Sequence, residues 1–84
     1  MKISILMESI AIPKFPKNYV LEIEDGATAG EVVKKLESEK LTGTYSTKKL
    51  LSSHALICNS AHINAGTVLK DGDCLMIIKS LIGG

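Results

Sequence analysis

The chain has 84 residues, enough for one hydrophobic core, and this length leaves no room within it for a second module of ordinary size. Apolar residues make up 45% of the chain but aromatic residues only 4%, so the core must consist mainly of Ile, Leu, Val and Met. The formal net charge of +1 gives no electrostatic reason to expect a nucleic acid or a membrane surface as a partner.

Alternating apolar residues predict two strands near the start of the chain. Segments 2–7 and 19–24 both show the two-residue period of a strand. Pro13 and Pro16 interrupt the stretch between them, as is typical of a connection. We therefore expect the second strand to pair antiparallel with the first.

A helix is predicted to begin just after Thr28. Thr28 and Glu31 have the spacing of a capping box, in which two side chains satisfy backbone N–H groups that a helix start leaves unpaired. Gly30 slightly weakens the first turn. One stripe of the helix is apolar and is expected to pack on the sheet; it comprises Ala29, Val32, Val33 and Leu36.

The second half of the chain predicts a loop and three further strands. Residues 41–53 are rich in Ser and Thr and are expected to form a loop that includes one short helical turn. A third strand is expected at 54–58, ended by a turn at Asn59-Ser60 and followed by a short edge strand around His62. The sequence KDGD at 70–73 predicts a turn before the last strand, 74–78.

This order of elements predicts an α+β fold with a mixed sheet of four to five strands and one main helix. The last strand is apolar on both faces, which is typical of a central strand in a sheet with parallel pairing. We therefore expect the first and last strands to be parallel neighbours at the centre of the sheet.

A single helix covers only one face of such a sheet, so part of the last strand is expected to face outward. The outward pair is either Leu75 and Ile77 or Met76 and Ile78. An apolar patch on a surface of balanced charge suggests a partner site. The alternative is that a loop segment such as Leu50-Leu51 folds over this face.

Several motifs together resemble one known family. Asn59 follows the third strand, residues 67–73 read TVLKDGD before the last strand, and the chain ends in Gly83-Gly84. The helix start at 25–36, DGATAGEVVKKL, is similar as well. In these features the sequence resembles the ThiS/MoaD family of ubiquitin-like sulfur carrier proteins.

The resemblance implies a β-grasp (ubiquitin-like) domain over residues 1–79 and a flexible diglycine tail over residues 80–84. It implies that an E1-like adenylating enzyme joins the Gly84 carboxylate to AMP from ATP, and that sulfur then replaces AMP as a thiocarboxylate. The thiocarboxylate would donate sulfur in molybdopterin or thiamine thiazole biosynthesis, on a molybdopterin synthase large subunit or a thiazole synthase. The chain itself would bind no cofactor, because the partner uses the ATP.

The same resemblance assigns roles to residues near the terminus. Leu81, Ile82 and Gly83 would thread into the partner, and residues 81–84 can extend roughly 13 Å. Glycine suits this path because it has no Cβ and permits backbone angles that other residues avoid. The candidates for a partner-contacting surface on the last strand are Met76, Ile78 and Lys79.

Two features indicate which branch of the ThiS/MoaD family the chain resembles more. MoaD-like members often carry an aromatic or proline-containing segment before the diglycine, whereas residues 79–82 here read KSLI. The segment 41–53, however, is similar to an extra loop of MoaD-like chains. The molybdopterin branch is therefore slightly preferred over the thiamine branch.

Other readings of the sequence remain open. The same tail suits a protein modifier that is joined to lysines through Gly84, and the fold alone suits a non-covalent interaction module. The spacings of His54, Cys58, His62 and Cys74 match no zinc pattern, so no metal site is expected, although Cys74 lies where it could be exposed enough to react.

The location of the protein is also predicted from the sequence. The N-terminal apolar stretch is interrupted by Ser4 and stopped by Glu8, which does not match an export signal. The longest later apolar run, 75–78, is far shorter than a membrane span. We expect a cytoplasmic protein that is not itself an enzyme and that binds neither nucleic acid nor membrane.

Overall fold

The structure, a computed structural model, describes residues 1–79 of the chain. In chain order, its elements are β1 (Lys2–Glu8), β2 (Tyr19–Glu22), α1 (Ala29–Ser38), α2 (Thr47–Ser53), β3 (His54–Cys58), β4 (Ala61–Ile63) and β5 (Cys74–Lys79). Within the described residues, no helix is long and apolar enough to cross a membrane.

The strands form one mixed sheet in the order β2-β1-β5-β3-β4. β1 and β5 are parallel neighbours at its centre, and every other pairing is antiparallel. The predicted topology is therefore confirmed, including the short edge strand. β2 ends at Glu22, two residues before the predicted end.

The predicted capping box positions the start of α1. The Thr28 hydroxyl accepts a hydrogen bond from the Glu31 N–H at 3.2 Å, and the Glu31 carboxylate accepts one from the Thr28 N–H at 2.8 Å. These contacts satisfy two of the N–H groups at the helix start. The four residues predicted to form the apolar stripe of this helix are all fully buried.

Gly30 has a packing role that helix propensity alone does not indicate. Its N–H donates to the Ala65 carbonyl oxygen at 2.9 Å, and a Cβ built on Gly30 would lie 3.1 Å from that oxygen and 3.2 Å from the Ala65 Cβ. The absence of a side chain therefore allows the segment before β5 to pack directly on the first turn of α1.

Residues 41–53 contain more helix than the one short turn predicted. Residues 47–53 form the two-turn helix α2, whose N-cap Ser46 accepts a hydrogen bond from the Lys49 N–H at 3.2 Å. Glu37 of α1 also accepts hydrogen bonds from the Thr47 N–H and hydroxyl, at 2.9 and 2.6 Å. Contacts with α1 thus stabilise a helix that is too short to be stable in isolation.

Both helices contribute to a single core on one face of the sheet. Leu50 of α2 is fully buried and belongs to the same cluster as the apolar stripe of α1. Leu75 and Ile77 of β5 are fully buried in that cluster too. The alternative that Leu50 covers the opposite face is therefore wrong, and Met76 and Ile78 are the residues that point away from the core.

Two turns confirm what their sequences predict. Asn59 and Ser60 join β3 to β4 with φ of 53° and 65°, as in the two-residue hairpin loops that need positive φ at both positions. Gly72 has φ of 88° in the KDGD turn. Asp73 in this turn accepts a hydrogen bond from the Lys70 N–H at 2.8 Å, and Asp71 accepts one from the Lys2 N–H at 2.6 Å.

Candidate functional site

The sheet face opposite the helices carries a band of apolar side chains, which we call the open face. Strand register places Leu6, Met76 and Ile57 in one row across β1, β5 and β3. Neighbouring rows contain Val20 of β2 on one side and Ile78 with Ala55 on the other. The apolar residues of the open face are Leu6, Val20, Ala55, Ile57, Met76 and Ile78.

The open face is accessible because neither helix lies on it. Leu6 is 41% exposed and Val20 is 50% exposed, and Met76, Ile57 and Ile78 are partly buried against their neighbours in the sheet. The next position across from Ile57 is the exposed His62 of β4, so the band reaches the sheet edge. A contiguous apolar surface of this kind is typical of a site for another protein.

Charged residues border the open face rather than interrupt it. Lys2 of β1 lies opposite Glu22 of β2 at one end of the sheet. Glu8 of β1 lies opposite Ile78 at the other end. An apolar centre with a polar rim is the usual arrangement of protein interfaces.

The predicted surface residues of β5 do not all lie on one face. Met76 and Ile78 belong to the open face, whereas Lys79 is paired with the buried His54 and alternates to the helical side. The Lys79 ammonium lies 6.0 Å from the centre of the Tyr45 ring. The structure therefore brings Met76 and Ile78 together and separates Lys79 from them.

The predicted tail residues Leu81, Ile82, Gly83 and Gly84 lie outside the described residues. β5, which holds Met76 and Ile78, extends to Lys79 at the end of the described chain. The sequence that follows the open face along the chain is therefore the diglycine segment. The roles assigned to these residues stay predictions.

The two cysteines occupy different environments. Cys58 is buried, and desolvation, with a smaller contribution from nearby Asp73, raises the pKa of its thiol. That shift favours the protonated, unreactive form. Cys74 is exposed at the start of β5, opposite Ser4 on the open side of the sheet. Within residues 1–79, no three side chains of the metal-binding types come together as a metal site would require.

Two features near the end of β5 could not be foreseen from the sequence. The β1–β2 loop exposes 82% of Ile10 and borders a cleft of about 510 Å³ that also contacts Ile78 and Lys79. Ser9 in this loop forms a hydrogen bond with His54, although 45 residues separate them. No local pattern indicates a contact across that distance, and the sequence analysis considered His54 only among the residues whose spacings match no zinc pattern.

Comparisons with known proteins find relatives by structure alone. No family model and no curated protein sequence matches the chain. The crystal structure of SAMP1 from Haloferax volcanii superposes with a TM-score of 0.78 and 12% identity, over 100% of both chains. The five-stranded sheet and its helices are thus those of a known architecture. The chain has the ubiquitin-like β-grasp fold.

A second solved structure has a similar fold. It is a complex of subunits 1 and 2 of molybdopterin-converting factor from Helicobacter pylori 26695. The match has a TM-score of 0.58 and 24% identity and again covers 100% of both chains. The fold expected from the sequence resemblance is therefore confirmed, and these low identities show the fold alone.

Proposed function

We propose that this chain is a sulfur carrier whose Gly84 carboxylate is adenylated by a partner enzyme and converted to a thiocarboxylate. The observation that carries the proposal is the position of the open face on β1 and β5. The strand that supplies Met76 and Ile78 leads along the chain to Gly83-Gly84. A partner that docks on the open face is then placed to receive the tail.

The chemistry requires that the partner supply the reactive groups. A carboxylate is a poor acyl donor, and joining it to AMP provides a good leaving group that sulfur can replace. Glycine at the last two positions leaves no Cβ to obstruct entry into a narrow active site. In this scheme the chain is a protein substrate or a small subunit of a synthase, an E1-like enzyme binds ATP, and Gly84 is the reacting residue.

Mass spectrometry of the intact chain tests this proposal. The chain is incubated with an E1-like adenylating enzyme, ATP and a sulfur donor, beside a variant that lacks Gly84. The proposal predicts a mass gain equal to the difference between one sulfur and one oxygen atom, in the full chain only. Failure to gain this mass with any adenylating enzyme of the ThiS/MoaD type would contradict it.

We place the carrier in molybdopterin biosynthesis, with thiamine thiazole synthesis as the alternative pathway. The likeness to a chain of a molybdopterin-converting factor complex supports the first. The corresponding partner is a large synthase subunit, and the setting is the cytoplasm. Copurification of the tagged chain with a molybdopterin synthase large subunit, or with a thiazole synthase, separates the two pathways.

A second function uses the same terminus. SAMP1, a ubiquitin-like small archaeal modifier, has the higher TM-score of the two structures described. In a modifier, the activated Gly84 forms an isopeptide bond with a lysine of another protein. Conjugates of increasing mass in host cells would favour this function over the carrier. A third possibility, a non-covalent interaction module, predicts that the chain keeps its binding when Gly84 is removed.

A further inference from the structure

Outside the open face, the structure pairs a serine with a histidine. Ser9, the residue that follows β1, lies with its hydroxyl oxygen 2.9 Å from Nε2 of His54, the first residue of β3. The other ring nitrogen, Nδ1, lies 3.1 Å from the Leu50 carbonyl oxygen and 2.9 Å from the Ser53 hydroxyl. Both nitrogens of this buried ring are therefore engaged.

These contacts determine which nitrogen carries the proton in the neutral ring. The Leu50 carbonyl can only accept, and the Ser53 hydroxyl lies 2.8 Å from the Lys49 carbonyl, to which it donates. Nδ1 must therefore be the donor. Nε2 is then the acceptor, and the hydrogen bond runs from the Ser9 hydroxyl to His54.

The surroundings favour the neutral, basic form of the ring. Burial is the largest cause that lowers the pKa of His54, and the charge of Lys79 lowers it further, while the Leu50 carbonyl acts in the opposite direction. Tyr45 contacts the imidazole edge-on, with the ring centres 5.3 Å apart. A base held in one orientation next to a hydroxyl is the arrangement that activates a serine nucleophile.

Ser9 is also open to a small reagent. It is partly exposed and borders the cleft of about 510 Å³ between the β1–β2 loop and the end of β5. One of its lone pairs accepts a hydrogen bond from the Ala11 N–H at 3.2 Å. A hydroxyl oxygen has two lone pairs, so the second remains for attack. Lys79 borders the same cleft and can stabilise a developing oxyanion.

We propose that Ser9 is an acylation site that accepts an acyl group from small activated esters, with His54 as general base. The Ser9 oxygen forms a bond to the carbonyl carbon while its proton passes to Nε2 of His54. The bond between that carbon and the leaving oxygen then breaks, and the leaving group takes the proton from His54. The products are O-acyl-Ser9 and an alcohol or phenol. This site is independent of the Gly84 chemistry.

The test uses 4-nitrophenyl acetate and the full chain. Release of 4-nitrophenol gives the rate, and peptide mass spectrometry locates the acetyl group. The expected result is a single acetyl group on Ser9, absent in Ser9→Ala, with a rate at least tenfold lower in His54→Gln, since general base catalysis contributes roughly 10²- to 10⁴-fold. Ser4→Ala, which removes the hydroxyl of an exposed serine within β1, is the matched control and should react like the unchanged chain.

Two outcomes overturn the proposal. One is acetylation of lysines or the N-terminus with none on Ser9. The other is labelling of Ser9 at an equal rate in His54→Gln. If that variant does not fold, the pH profile of the unchanged chain replaces it. The Ser9 labelling rate should stay level around pH 6.5, the ordinary histidine pKa, and should fall as the pH decreases through the lower pKa of His54 in the folded chain. A rate that rises with hydroxide concentration alone would exclude His54 as the base.

Discussion

Leu6 of β1 and Met76 of β5 lie directly opposite each other across the parallel pair at the centre of the sheet. Leu6 is 41% exposed, and Met76 packs beside it on the face that no helix covers. In a parallel pair both strands run toward the same end of the sheet. The end at which β5 leads to the diglycine sequence is therefore also the end at which β1 finishes, at Glu8.

The first prediction concerns Leu6→Lys. A charge at the centre of the open face should reduce the rate of thiocarboxylate formation by at least tenfold, because an unpaired charge in a protein interface costs several kcal/mol. Stability should change little, since the Leu6 side chain is already partly exposed. The rate is followed by intact mass, and the unfolding midpoint by urea titration.

Val68→Lys is the matched control for this variant. Val68 is 58% exposed but lies beside Thr28 at the start of α1, away from the open face. The Val68→Lys variant should form the thiocarboxylate at the same rate as the unchanged chain. An equal loss of rate in both variants would mean that the open face has no special part in the reaction.

The second prediction is that Gly30→Ala destabilises the protein. In an exposed helix this change stabilises by about 1 kcal/mol. Here the new Cβ would lie 3.1 Å from the Ala65 carbonyl oxygen, which cannot retreat without lengthening its hydrogen bond to the Gly30 N–H. We expect a net loss of about 1 kcal/mol in the free energy of unfolding.

Urea unfolding measures this loss. Lys34→Ala, at an exposed position of the same helix, should change the free energy of unfolding by no more than about 0.5 kcal/mol. A gain of stability in Gly30→Ala would show that residues 64–67 shift easily and that the close approach is unimportant.

Much of this fold follows from local sequence patterns. The two-residue periods of β1 and β2, and the Thr28–Glu31 capping box, are each contained within a few residues. Such patterns report on local backbone structure and on which face is buried. Together with the order of the elements, they were sufficient to predict the parallel central pair, but they left open which residues of the last strand face away from the helices and whether a loop covers them.

The errors concern features that depend on distant residues. α2 has only Leu50 fully buried and no repeated stripe, and its Thr47 donates two hydrogen bonds to Glu37, which lies ten residues earlier in the chain. The Ser9–His54 contact spans 45 residues. No single segment contains the information for these two features. Lys79 is a different case, because the two-residue period of a strand already places it on the face opposite to Met76 and Ile78.

The third prediction concerns the contact between α1 and α2. The hydrogen bonds from Thr47 are the main cause that lowers the pKa of Glu37 below its ordinary value of 4.5. The Glu37 carboxylate therefore binds a proton less readily in the folded state than in the unfolded state. Its stabilising contribution is present above about pH 4.5 and is lost as the pH falls through the lower folded-state pKa.

Urea midpoints of Glu37→Gln and the unchanged chain, measured from pH 7 to pH 3, test this contribution. The two midpoints should differ most at neutral pH and converge in acid. Thr47→Val, which removes the hydroxyl but keeps the backbone N–H, should show part of the same effect. A constant difference across the range would indicate that the Glu37 charge is unimportant.

The fourth prediction concerns the buried His54. Its pKa lies below the ordinary value of 6.5, mainly because of desolvation, so the unfolded state binds the proton more tightly. Stability should be full above about pH 6.5 and should fall as the pH decreases from there through the lower folded-state pKa. His54→Gln should reduce this loss between pH 7 and pH 5.

Thermal midpoints at those two pH values provide the measurement. His62→Gln, on the exposed edge strand, leaves the contacts of His54 intact and should keep the pH dependence of the unchanged chain. If His54→Gln retains the full loss of stability in acid, another group is responsible.

The most direct test of the central claim is the intact mass of the chain isolated from the cells that produce it. The carrier account predicts a free chain in which one oxygen atom of the Gly84 carboxylate is replaced by sulfur, and it predicts that this form disappears when Gly84 is deleted. A ladder of conjugates to other proteins, or an unmodified chain under all conditions, would contradict it.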